Sequence, residues 1–183
     1  MDIQDPSVQE TLIDAVREGM EIVRRNQGGH LPQDAEIKEN ETLVTVVDHQ
    51  AEERVSALLR RAFGDEVRLS REEGGESGRG NVELLMDMLD GTRAFTNGMM
   101  SSTVILAPYD HQQKQVVGCI IVEPVSGRIW SAFGDEPTKL NGHEVKVWDG
   151  KLGKQTTVFL DVSHGFERGP KGSKRQIFTD KQL

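Results

Sequence analysis

From Asp5 onward, apolar residues recur at Val8, Leu12, Val16, Met20 and Val23, a three-to-four spacing that predicts one buried stripe on a helix of about five turns. Asp5 is its expected cap, Pro6 fits the first turn, and Arg24 and Arg25 suit the negative end of the helix dipole before Gly28-Gly29 ends the pattern. Residues 30–41 read as a polar connector. An apolar run over 43–47 predicts a short strand leading into a second helix, whose buried face is Ala51, Val55, Leu58, Leu59 and Ala62. Thr45 and Asp48 have the spacing of a capping box, and Gly64 is the expected stop.

Beyond the helices the period changes. Residues 66–69 predict a short strand, and the glycine-rich segment 72–80 predicts a mobile loop without regular structure. Residues 82–86 are apolar enough for a buried strand, which is expected to stop at Asp87. Strands are further predicted over 102–107, 115–122 and 128–133, and shorter ones over 145–147 and 156–162. Short polar turns between consecutive strands argue for an antiparallel meander, so the pattern is two helices packed on a largely antiparallel sheet, an α+β fold. After Ser163 the composition shifts to Gly, Lys, Arg and Ser, and the apolar period is lost.

Composition narrows the class. With 22 Lys+Arg against 30 Asp+Glu in 183 residues, the formal net charge is −8. Basic residues are scattered, only Arg24-Arg25 and Arg60-Arg61 being adjacent, so no stripe suited to a nucleic-acid polymer is expected. No apolar run approaches the roughly 20 residues of a membrane span, and the N-terminal residues lack a signal-peptide pattern. The expectation is therefore a cytoplasmic protein without membrane partners. Cys119 is the single cysteine, which excludes an internal disulfide and a CxxC pair, and it reads as a small core residue.

The segment Asp87-Met88-Leu89-Asp90-Gly91-Thr92 carries the candidate chemistry. Two carboxylates three residues apart, followed by a glycine that permits tight reversal, can converge with the Leu89 carbonyl into the all-oxygen surroundings that Mg²⁺ prefers. If Thr92 starts a short helix through Phe95, its amide and hydroxyl can receive a phosphate oxygen. The plainer reading is a turn with a helix cap, although Asp-x-x-Asp-Gly-Thr arises by chance in about one sequence per thousand of this length. Likewise Glu72-Glu73 reads singly as a solvated pair, and Asp48 as a cap partner.

Taken in order, Val44-Thr45-x-x-Asp48, Glu72-Glu73 and Asp87-x-x-Asp90-Gly91-Thr92-x-x-Phe95 resemble the inositol monophosphatase family, the lithium-sensitive, magnesium-dependent sugar and nucleotide phosphatases. Gly98, Gly118-Cys119-Ile120-Ile121-Val122-Glu123-Pro124 and Lys139-Leu140-Asn141-Gly142 extend the likeness to about Val147. The resemblance implies a layered αβαβα fold, incomplete at the C-terminus. It also implies that Glu72, Asp87, Asp90 and the Leu89 carbonyl ligate two or three Mg²⁺ ions, with Mn²⁺ as an alternative and Glu73 as a further acidic candidate. Asp48 and Thr92 would orient and deprotonate the attacking water, while Asp90, Gly91 and Thr92 bind the substrate. The implied activity is hydrolysis of a phosphate monoester by metal-activated water, metals about 3.5 to 4 Å apart stabilising attacking and leaving oxygens. Inositol phosphate, histidinol phosphate, fructose 1,6-bisphosphate and 3′-phosphoadenosine nucleotides are the candidate substrates, and a homo-oligomer is expected.

Two departures qualify the match. The family usually has proline where Met88 stands, which removes a φ constraint from the turn. A further metal-binding aspartate of the family's second half is not found: Trp148-Asp149-Gly150 comes too early and reads as a strand end and turn. The expected organisation is thus a metal-binding lobe over 1–150 and the start of a second lobe over 151–183. The competing reading is a shortened, non-catalytic member that binds metal or works in an assembly. Other schemes fit less well: Met88 occupies the place a haloacid-dehalogenase scheme would need for its nucleophile, Met88 and Leu89 break an EF-hand, and the five histidines are too dispersed for zinc. Met99-Met100 reads equally as a pocket edge or as core.

Overall fold

The computed structural model describes residues 1–28, 36–37, 43–71, 74–76, 78–147 and 150, with backbone alone at 36–37, 43–44 and 74–76. Helix α1 spans Pro6–Asn26, and the Asp5 side chain accepts from the Ser7 amide as its N-cap. Leu12, Val16 and Val23 of the predicted stripe are fully buried, and Val8 packs at its margin. Helix α2 spans Val46–Phe63 and buries Val47, Ala51, Val55 and Leu59. The two helices cross closely at Gly19, where a Cβ would lie 3.0 Å from Val55 Cγ2. Each fully buried Val or Leu contributes about 1.5–3 kcal/mol of burial free energy. Ala62, expected on the buried face, is exposed, because α2 has by then reached the rim where Gly64 caps it.

Strands β1 (Glu36–Ile37) and β2 (Leu43–Val44) pair antiparallel, so the predicted connector contains a strand. The apolar run over 43–47 divides: the Thr45 cap turns the chain, and Val46 and Val47 open α2. The main sheet has nine strands: β3 (Val67–Arg71), β4 (Gly74–Glu76), β5 (Val82–Asp90), β6 (Thr103–Asp110), β7 (Gln115–Val116), β8 (Gly118–Glu123), β9 (Arg128–Phe133), β10 (Lys139–Leu140) and β11 (His143–Glu144). Its order is β11-β10-β9-β8-β6-β5-β3-β4, with β7 beside β6. All pairings are antiparallel except β3 with β5. The expected α+β arrangement of two helices on a mainly antiparallel sheet is what the fold has.

Leu84, Met86, Met88, Val104, Leu106, Ile120 and Val122 alternate along β5, β6 and β8 and form one core with α1 and α2. The intervening positions, among them Leu85, Ile105 and Ile121, are half-buried on the opposite face.

Several predicted boundaries move. The glycine-rich segment supplies an edge strand, since Gly74–Glu76 pairs with β3; residues 72, 73 and 77 lie outside the described set. The predicted 115–122 strand is interrupted at Val117, whose amide turns to the Pro108 carbonyl. No strand forms over 145–147, and Val147 is 94% exposed. Instead β10 and β11 make a hairpin on Asn141 (φ 50) and Gly142 (φ 82), the left-handed pair that an Asn-Gly turn favours. Residues Met1–Lys146 form one unit, and Val147–Leu183 a second of which 147 and 150 are described. The expected strand over 156–162 lies outside the described residues.

Candidate functional site

The strand expected to stop at Asp87 continues to Asp90, with an irregularity that places the chemistry. Asp87 pairs with Ile105 and Asp90 with Thr103, so three steps along β5 match two along β6: a β-bulge with one extra residue. In a regular strand, residues three apart face opposite ways. Because cross-strand partners share a face and Ile105 and Thr103 are two apart, the bulge returns Asp90 to the side of Asp87. Met88 and Leu89 are both 1% exposed, the consecutive burial that a bulge produces. Both carboxylates thereby leave the helix-covered face.

Gly91 follows with φ 82, a left-handed conformation that side chains rarely adopt, so this tight reversal suits glycine. Helix α3 (Thr92–Thr96) begins there, held by Phe95, which is 1% exposed and donates its amide to the Gly91 carbonyl at 3.0 Å. The amide of Thr92, at the start of that helix, has no intrahelical acceptor. Asp87 Oδ1 accepts from the Leu89 amide at 3.1 Å, and Asp90 Oδ2 accepts from the Thr103 hydroxyl at 3.0 Å.

Asp48 arrives from the other side, at the third position of α2. Its Oδ2 accepts from the Thr45 amide at 2.8 Å and the Thr45 hydroxyl at 2.5 Å, which completes the capping box. Its Oδ1 accepts from the Thr92 hydroxyl at 3.2 Å, across 44 residues of sequence. One oxygen thus serves the cap and the other reaches the turn. Burial raises the pKa of Asp48, against the opposing pull of the hydrogen bonds from Thr45 and Thr92. Thr92 has a second acceptor, the Leu89 carbonyl at 3.0 Å. A hydroxyl has one proton, so an ionised Asp48 draws that proton and relieves the Leu89 carbonyl, whereas a protonated Asp48 leaves it there.

The structure therefore brings together Asp48, Leu89 and Thr92 by direct hydrogen bonds, and Asp87, Asp90 and Gly91 by the bulge and turn. Glu72 and Glu73 lie outside the described residues, as do Trp148 and Asp149. Among the described residues no three His, Cys, Asp or Glu side chains converge as a metal cluster. The donors present, two carboxylates and a carbonyl, are all oxygen and suit a hard cation such as Mg²⁺ rather than a thiophilic one. A cavity of about 760 Å³ lined by Asp2, Gln4, Val82, Asp110 and Gly134 sits at the start of β5 and contains none of these residues. Sequence reasoning missed Thr103, whose part depends on the bulge register and leaves no signal in the sequence.

A helical pair on a bulged, mainly antiparallel sheet, with acidic residues and a helix start at the bulge, defines an α+β protein. The chain belongs to the inositol monophosphatase family, whose model matches residues 5–175, further than the motifs reach. It is 26% identical over 159 residues to a fructose-1,6-bisphosphatase/inositol-1-monophosphatase of Aquifex aeolicus, covering 87% of this chain and 57% of the relative. It is 28% identical over 105 residues to the Nus factor SuhB of Haemophilus influenzae, covering 57% of this chain and 39% of that protein. Among solved structures, the Thermotoga maritima IMPase superposes with a TM-score of 0.70 at 22% identity, over 78% of this chain and 54% of that one. The suhB protein of Bartonella henselae gives 0.69 at 21%, over 79% and 55%. These two superpositions concern the fold, and this chain spans little more than half of either protein. No helix among the described residues is long and apolar enough to cross a membrane.

Proposed function

We propose that this chain takes part in divalent-cation-dependent hydrolysis of a small phosphate monoester. One observation carries the reading: the Thr92 hydroxyl, on the turn that follows Asp87 and Asp90, is hydrogen-bonded to the buried carboxylate of Asp48. Asp87, Asp90 and the Leu89 carbonyl are the cation ligands in this reading, and Glu72 and Glu73 join them on the family resemblance alone. Two or three Mg²⁺ ions, or Mn²⁺, would supply the positive charge that brings an electron-rich nucleophile and a phosphate together. Thr92 orients the attacking water and takes a proton from it while passing its own proton to Asp48 Oδ1. Asp48 is suited to accept that proton because burial makes its carboxylate more basic than an exposed one. Asp90, Gly91 and Thr92 contact the substrate, the latter two through amides at the head of α3. Residues 1–150 are the metal-binding lobe in this reading, and 151–183 begin a second.

The name of the Aquifex relative favours inositol 1-phosphate and fructose 1,6-bisphosphate as first substrates, with histidinol phosphate and 3′-phosphoadenosine nucleotides next. A second reading, binding or assembly without turnover, is favoured by two relatives named Nus factor SuhB rather than for an enzyme activity. Phosphate release from this panel, with and without Mg²⁺ or Mn²⁺, separates the two. Release that requires the cation supports hydrolysis and ranks the substrates. A folded chain that releases phosphate from none of them supports the second reading.

A further inference from the structure

Asp90 is exposed, and an exposed aspartate ordinarily samples several rotamers in water. Here it is tied. Its cross-strand partner at the bulge is Thr103, whose hydroxyl donates to Asp90 Oδ2 at 3.0 Å. Thr103 is half-buried and β-branched, so the strand backbone restricts the direction of its hydroxyl. The two preceding residues lie beside the same turn: Ser101 O and Ser102 Cα are 3.7 and 3.5 Å from where a Gly91 side chain would begin. Thr103, the first residue of β6, and the two residues before it thus lie against Asp90 and Gly91, and one side chain among them reaches the carboxylate. Valine at 103 would fill the same strand position and leave Oδ2 without this donor.

We infer that Thr103 is a positioning residue for Asp90: by occupying Oδ2, its hydroxyl directs Oδ1 towards a divalent cation and raises the affinity of the site for it. The inference rests on the reading that Asp90 meets a cation. Hydrogen bonds to ligating carboxylates orient them, and their loss typically lowers metal affinity 10- to 100-fold.

The test is Mn²⁺ binding to the full chain, read from the electron paramagnetic resonance signal of free Mn²⁺, with melting curves beside it. Thr103→Val is expected to weaken binding about tenfold with the melting temperature little changed, and Thr103→Ser to restore it to within about twofold. Adding Thr103→Val to Asp90→Asn is expected to cause no further loss, because the hydroxyl acts only through that carboxylate. Wild-type affinity in Thr103→Val, while Asp90→Asn loses binding, overturns the inference and leaves the cation reading standing. Equal losses in Thr103→Val and Thr103→Ser also overturn it, since the hydroxyl is then not the cause. Absence of saturable Mn²⁺ binding by the wild-type chain overturns both the inference and the reading beneath it.

Discussion

Asp48 and Asp90 approach the same turn from opposite surroundings. Asp48 is 5% exposed, both its oxygens accept hydrogen bonds, and its pKa is raised by burial. Asp90 is exposed at the end of a strand, with a hydroxyl on one oxygen. Burial disfavours the charged form and suits a group that takes up a proton, whereas exposure leaves a carboxylate reachable by a cation. The buried carboxylate caps a helix, and the exposed one holds nothing in the core.

The strongest way to break this contrast is Asp90→Asn, which is expected to lower cation-dependent phosphate release by more than about 100-fold. Its stability is expected to stay within about 0.5 kcal/mol of wild type, checked by urea unfolding. Next comes Thr92→Val, which removes the hydroxyl linking Asp48 to the turn; turnover is expected to fall about 100-fold at saturating substrate. Asp48→Ala loses the reciprocal cap of α2 and is expected to cost about 1–2 kcal/mol, against almost nothing at Asp90.

A pH series sharpens the comparison further. Because the folded pKa of Asp48 is raised above its unfolded value, its contribution to stability is full below the unfolded pKa and is lost as pH rises through the folded one. Relative to wild type, Asp48→Asn should therefore gain stability as pH goes from about 4 to about 7, measured by unfolding at each pH. The smallest effect belongs to Ser56→Ala: this hydroxyl is buried in α2 without a hydrogen-bond partner among the described residues, so its removal should raise stability by a few tenths to about 1 kcal/mol.

The helices were legible in the sequence because their signals agree: apolar period, caps at Asp5 and Thr45, and a stop at Gly64. At residues 43–47 two signals conflict, and the local Thr45–Asp48 cap prevails over the β-like run. The hairpin at Lys139–Glu144 was not predicted, because its strands are too short to show a period of two. The pairing of Gly74–Glu76 depends on backbone hydrogen bonds to β3, which side-chain patterning does not report. Asp48, Asp87, Asp90 and Thr92 were legible as motif residues, but what brings the two strand carboxylates to one face was not. A bulge is a matter of register with another strand, and Met88-Leu89 reads simply as apolar.

The most direct test of the division between the two carboxylates measures Mn²⁺ binding and phosphate release on the same preparations of wild type, Asp48→Asn and Asp90→Asn. The account predicts that Asp48→Asn keeps cation binding and loses turnover, whereas Asp90→Asn loses both. Loss of cation affinity in Asp48→Asn equal to that in Asp90→Asn, or turnover retained in either variant, would contradict it.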